Sequence, residues 1–392
     1  MLSKLRNVDW IIVVILLIFM GISVALIHSG VAAWPKFQGY GKRMVFYYLL
    51  GFICFFGMFL VDYRLLLKYH WFILAVGVFL LVIVIFIGGT LNGAKGWIKI
   101  PRVDLNIQPA ELFKLVLIIS LSAVIGQKSK IALTFWRDIV PLSLFALIPF
   151  GIVMAQNDIG NALSYIVILF GILWIGNLKY THTILLLLVI AASLYIGIKS
   201  YITFHEQITT YLESTNKQHW LDRIDPWLLP DLASSDASYH TQNALIAIAS
   251  GGMLGDGYMQ GAYVQSGFVP YTYSDSIIVV VAEEFGFIGV SVLVLLYFIL
   301  IYRLIITALE CKRREGPILI VGIISMFLYQ IFENIGMFIG LMPLTGITLP
   351  FISFGGSSLL INMVSIGLVI SIQLYGRQEE ELPFVGYKKV DM

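Results

Sequence analysis

Asp275 stands directly before a long apolar run, in VPYTYSDSIIVVVAEEFGFIG (269–289). A carboxylate there has two readings. It caps the helix through free backbone amides, or it sits at the mouth of a membrane cavity and takes a proton from a hydroxyl. Glu283 and Glu284 follow in the same run, roughly 12–13 Å deeper at 1.5 Å per residue. Two adjacent acids in a span are costly unless bonded or solvated. They either bond to neighbouring helices or mark a proton or cation path.

Glu111 and Lys114 follow Gln108-Pro109. Proline suits a first helical turn, and i, i+3 spacing puts both charges on one face. They form a structural salt bridge, or a polar pocket wall where Lys114 meets a phosphate. Upstream, NGAKGWIKIPR (92–102) gathers Lys95, Lys99, Arg102 and Trp97 into a basic, aromatic loop. Such a cluster anchors the chain at the interface or clamps a lipid headgroup or pyrophosphate. Asp158, in AQNDIGNA (155–162), caps the next helix or contacts metal or substrate. Between Gly340 and Ser358, GLMPLTGITLPFISFGGSS is broken by proline and glycine. Broken backbone at membrane depth must be buried in protein or line a cavity. Gly355, Gly356, Ser357 and Ser358 open the following helix, either as a capped turn or as amides that suit an anion. There is no HExxH, Walker or dinucleotide-glycine pattern. Cys54 and Cys311 imply no disulfide.

The elements that must position these residues are membrane helices. Apolar residues make up 59% of the 392, charged residues 12%, and mean hydropathy is +0.90. Soluble domains have about 25% charged residues. A net charge of +2 gives no footprint for a nucleic acid. Apolar stretches run over 9–29, 44–61, 71–89, 109–126, 138–155, 161–177, 181–200, 276–302, 317–341 and 356–375. The expected fold is therefore all-α and polytopic, a single domain over 1–392 with about 10 spans. A large loop, 201–275, separates the seventh and eighth. The first stretch exceeds the roughly 7–15 residues of a signal core and reads as a retained helix. With the N-terminus inside, the inner segments hold the larger share of the 25 Lys and Arg. This places both termini in the cytoplasm and the long loop outside. That loop carries Trp220, Trp227, Tyr239, Tyr258, Tyr263 and Tyr271, which favour order at the membrane surface. Within it lie Asp222, Arg223, Asp225 and a short apolar run, 241–250, that reads as an interfacial or re-entrant helix ended by Gly251-Gly252.

Together these segments resemble the SEDS family (shape, elongation, division and sporulation). The matching stretches are NGAKGWI (92–98), QPAELFK (108–114), NDIGNA (157–162), YHTQNALIAIASGGMLGDG (239–257), SDSIIVVVAEEFG (274–286) and NIGMFIGLMPLTGITLPFISFGGSS (334–358). They stand in family order. NIGM, MPLTGI and LPF look closer to the rod-shape branch than to the division branch. The resemblance implies a peptidoglycan glycosyltransferase of the bacterial cytoplasmic membrane, acting on lipid II at the extracytoplasmic face. Asp275 would be its base. Lys95, Arg102, Lys114 and Arg223 would meet the leaving pyrophosphate, with Glu111 orienting Lys114. Trp97, Asp158, Gly355, Gly356 and Ser357 would contact substrate. It also implies a class B penicillin-binding protein, elongation-complex membrane proteins and membrane lipids as partners. A divalent cation, magnesium or manganese, could share the charge. Two other readings compete: a flippase for the lipid-linked precursor, and a non-catalytic scaffold for a transpeptidase. Sites clustered at one membrane face, rather than at the midplane, favour synthesis.

Overall fold

The computed structural model describes residues 8–91, 94–100, 105–128, 132–215 and 217–377. The spans are α1 (Trp10–Gly30), α2 (Tyr40–Leu60), α4 (His70–Ile87), α5 (Pro109–Gly126), α6 (Val140–Met154), α7 (Ile159–Ile175), α8 (Tyr180–Thr203), α13 (Ile277–Leu309), α14 (Glu315–Phe338) and α15 (Gly356–Arg377). A short α3 (Tyr63–Lys68) leads into α4, and a π-turn, Phe135–Ile139, leads into α6. Nine of these helices, among the described residues, are long and apolar enough to cross a membrane, and α7 is a shorter apolar helix. Each corresponds to one of the ten expected spans.

Two segments read as loops are folded. Strands β1 (Gly89–Leu91), β2 (Ala94–Ile100) and β3 (Leu105–Ile107) form a three-stranded antiparallel sheet. Lys99 pairs with Asn106 and Ile98 with Ile107. The expected all-α, polytopic fold holds, with this small sheet added to it: β-branched Ile98, Ile100 and Ile107 suit a pleated surface. The 201–275 segment is largely helical: the end of α8, then α9 (His205–Ser214), α10 (Leu221–Leu228), α11 (Ser235–Ser250) and α12 (Ala262–Gln265).

The core lies where α5, α14 and α15 are buried. The apolar stripe of α5 covers Phe113, Leu117, Ile118 and Leu121, all inaccessible to solvent. By contrast Thr183 is the one buried residue of α8, which stands off the bundle. Two breaks in the helical pattern matter for function. Helix α13 is interrupted at Gly286 (φ 63°, ψ −162°), a backbone region open essentially to glycine alone. The freed groups are recovered by the segment after α11. Asp256 N and Gly257 N donate to Glu283 O and Glu284 O (2.9 and 3.0 Å), and Phe287 N and Ile288 N donate to Gly252 O and Met253 O (2.9 and 3.2 Å). The second break is the stretch 340–355. Its consecutive carbonyls at Pro350, Phe351 and Ile352 accept from Tyr297 Oη (2.5 Å), Tyr48 Oη and Ser23 Oγ (2.6 Å). Three spans thus satisfy the irregular backbone inside the protein, as a low-dielectric interior demands.

At the opposite end of the bundle from β1–β3, charges stitch elements together. Asp9 caps α1 and pairs with Arg303 of α13 at 2.5 Å. Lys128 pairs with Asp138, and Arg314 donates to Lys128 O and Gly176 O.

Candidate active site

Asp275 lies in a turn just before α13, half-buried. The N-cap position belongs to Ser276, without a side-chain cap bond. The turn is held from several sides. Thr272 Oγ1 donates to Gly30 O at 2.5 Å, and Phe354 N donates to Tyr273 O at 2.9 Å. Ser276 Oγ donates to Pro270 O at 2.8 Å. Asn334 Nδ2 of α14 donates to Asp275 O at 2.8 Å and to Ile347 O at 2.7 Å. A Cβ built on Gly346 would lie 3.7 Å from Asp275 Oδ2 (Gly346 has φ +75°), so the carboxylate rests against bare backbone.

Burial pushes the Asp275 carboxyl up to about 6, against the pull of its own and Ser276's backbone amides and of the Arg223 guanidinium. A base poised near neutrality is what proton abstraction needs. Arg223 is half-buried on α10, on the wall of a cleft shared with Trp227, Leu245, Met337 and Leu344. Helix α10 is fixed through Asp225, which accepts from Tyr201 Oη (2.5 Å) and lies 3.0 Å from His205 Nε2. His240 of α11 approaches Ser276 Oγ at 3.3 Å, and burial drives its imidazole down to about 4. It is therefore neutral at physiological pH.

A second cluster stands behind the first. Lys114 Nζ meets Glu111 Oε2 at 2.7 Å, and the lysine is wholly buried. Asp158 caps α7 by accepting Asn161 N (3.1 Å) and Nδ2 (2.9 Å), and it accepts Gln108 Nε2 at 2.6 Å. It lies within electrostatic reach of Glu111 and Lys114. Ser357 Oγ donates to Asn106 O (2.5 Å) and accepts Gln108 N (3.1 Å), tying β3 and the start of α5 to α15. Residues 345–347 separate the two clusters. A Cβ on Gly160 would press on Ile347 and Thr345, while Gly346 faces Asp275.

The expected residues therefore divide. Asp275 lies within electrostatic reach of Arg223, which lines the cleft. Glu111, Lys114, Asp158 and Ser357 form a buried wall, in which Lys114 pairs with Glu111. Gly355 and Gly356 are half-buried at the start of α15. Lys95 and Trp97 lie on β2, Trp97 half-buried, and no described contact joins Trp97 to Asp275. Arg102 lies outside the described residues. Glu283 accepts the amides of Tyr263 (2.6 Å) and Val264 (2.9 Å), and Glu284 accepts Ser29 Oγ and Gln265 Nε2. The two acids thus lock α12 and α1 together. Sequence reasoning passed over Asn334, Glu333 and Gln330, all inaccessible to solvent on α14. Their signal was available: polar residues inside a span carry a function or a partner.

A family model described as a cell cycle protein, FtsW/RodA/SpoVE, matches residues 7–378. Stage V sporulation protein E of Bacillus subtilis (strain 168) is 30% identical over 385 residues, covering 96% of this chain and 100% of that protein. The probable peptidoglycan glycosyltransferase FtsW of the same organism is 30% identical, covering 97% and 94%. Among solved structures, a chain of a peptidoglycan synthase complex superposes with a TM-score of 0.77 at 26% identity, covering 95% of this chain and 99% of that one. A mutant of the rod shape determining protein RodA of Thermus thermophilus superposes at 0.67 and 25% identity, with the same coverage. By its sequence over nearly its whole length and by its helical architecture, the chain belongs to the FtsW/RodA/SpoVE family of cell cycle proteins, the SEDS family.

Proposed function

We propose that this protein polymerises peptidoglycan glycan strands from lipid II. The observation that carries the reading is a half-buried carboxylate, Asp275, clamped at its backbone and within electrostatic reach of the Arg223 guanidinium. Relatives named peptidoglycan glycosyltransferase support it. Asp275 takes the proton from the 4-hydroxyl of an acceptor sugar. That oxygen bonds to the anomeric carbon of the second substrate. The bond from that carbon to the lipid pyrophosphate breaks, and its electron pair leaves with the pyrophosphate. The configuration inverts from α to β. Such a displacement needs both partners held in line and charge stabilised on the leaving side. We assign that task to Arg223. The Glu111–Lys114 pair and Asp158 support the wall behind 345–347 rather than touching the sugar. Among the described residues no three His, Cys, Asp or Glu side chains gather into a metal cage. The expected divalent cation fits only as a companion of the pyrophosphate, held by one carboxylate and phosphate oxygens.

The same reading puts the active face outside the cytoplasmic membrane, with both termini inside, and takes a class B penicillin-binding protein as partner. A structural neighbour from a peptidoglycan synthase complex supports that partner. We assign the role to elongation on NIGM, MPLTGI and LPF. Depletion is then expected to round the cells. Filaments would point to division instead, and a failure confined to spores to sporulation.

A broken span also suits a transporter. Here, however, the break at Gly286 is closed by backbone bonds to 252–257. Purified protein in liposomes with fluorescent lipid II decides between the two. Glycan longer than the input supports the polymerase. Lipid II that crosses the bilayer without lengthening would establish the flippase.

A further inference from the structure

Of the groups that hold the 270–276 turn, Thr272 and Tyr273 grip its middle, while Asn334 alone among the described contacts grips the backbone carbonyl of Asp275. Asn334 is inaccessible to solvent, nineteen residues into α14. Its two partners are carbonyl oxygens, so the group facing them must be the NH₂, and both its protons are used. The second partner, Ile347 O, adjoins Gly346, against which the Asp275 carboxylate rests. One carboxamide therefore sets the distance between the turn that carries the acid and the backbone that walls it.

We propose that Asn334 is a positioning residue for glycosyl transfer, holding the Asp275 main chain against residues 346–347 so that the carboxylate keeps its place against Gly346 and within electrostatic reach of Arg223. This rests on the reading of Asp275 as the base. The titratable or charged groups facing Asp275 are Arg223 from α10, Tyr273 from its own turn and, through Ser276, His240 from α11. Glu333, next to Asn334, turns instead to Thr345 Oγ1 at 2.9 Å. None of them replaces the carboxamide.

The test uses the full-length protein in liposomes, with lipid II polymerisation rates across pH 5–8 and melting of every variant. A misplacement of about 1 Å costs on the order of 100-fold in rate. Asn334→Ala is therefore expected to lower kcat about 100-fold while the KM for lipid II stays within about threefold. The acid limb of its pH profile moves to lower pH, because the loosened carboxylate gains water. Thr345→Val is the control. It removes the bond to Glu333 from the same segment but keeps both Asn334 contacts, and is expected to keep the wild-type limb. An Asn334→Ala protein with wild-type kcat, or with reduced kcat and an unmoved limb, overturns the proposal. Should Asn334→Ala not fold, Asn334→Ser retains one donor and is expected to show an intermediate loss with a shifted limb; wild-type behaviour there also overturns it. Asp275→Asn is run alongside. If that variant polymerises, the reading of Asp275 fails. If it is inactive while Asn334→Ala runs at full rate, the positioning role alone fails.

Discussion

Replacing Lys114 by methionine tests the buried wall most sharply. The ammonium meets Glu111 at 2.7 Å, and the side chains are 0% and 6% exposed. No hydrogen-bond partner in the described structure would take over Glu111 Oε2. Methionine keeps most of the aliphatic stem, so the change removes charge more than volume. Removing one partner of a buried pair costs about 3–5 kcal/mol, because the other charge is left stranded. At about 2.1 cal/mol/K per residue, that is a fall in Tm of roughly 4–6 °C for a chain of this length. The double variant Glu111→Leu/Lys114→Met removes both charges at similar volume, and such replacements are often neutral or stabilising by about 1–4 kcal/mol. The assay is thermal unfolding in lipid nanodiscs, with polymerisation measured on the same samples. The single variant should melt low and the double should recover. A Lys114→Met protein that melts with the wild type would refute the reasoning, as would a double variant that melts as low as the single.

Other expectations follow from the same contacts. Gly286→Ala puts a methyl 2.5 Å from Gly255 N and 2.7 Å from Met253 O, at φ +63°. Strain and overpacking of about 1–3 kcal/mol each should prevent a stable fold, read as loss of the monodisperse peak in detergent; a wild-type elution and melt would count against the 252–257 pairing. His240→Gln should leave the acid limb of the pH–rate profile where it is, since burial holds that imidazole near 4 and neutral across the working range. A limb that disappears in this variant would hand the titration to His240.

How much of this was legible beforehand depends on how local the cause was. Each of the ten spans could be read from apolar run length alone, because the bilayer sets a minimum length independent of neighbours. Pro109 marked the start of α5 for the same local reason. The i, i+3 spacing of Glu111 and Lys114 gave their pairing, but not that Lys114 is wholly buried. That depends on α7 and α14 packing over it, contacts distant in sequence. The break at Gly286 was hidden in an otherwise unbroken apolar run, since the groups that stabilise it come from 252–257. The sheet at 89–107 was missed because a basic, glycine-containing segment reads as loop, and its strands are only three to seven residues long. Asp275 was found from its place before a span. Asn334, which holds it, was inside a quoted motif and was passed over because it carries no charge.

The central claim is that the Asp275 carboxylate is the base. The most direct measurement is the rate of lipid II polymerisation in liposomes, wild type against Asp275→Asn, from pH 4.5 to 8. Protonation of the base silences it, so the wild-type rate should fall as pH drops through about 6, tenfold per unit below that point. Asp275→Asn is nearly isosteric and should melt with the wild type while making no polymer at any pH. Polymer from the folded asparagine variant, or a wild-type limb absent near 6, would contradict the account.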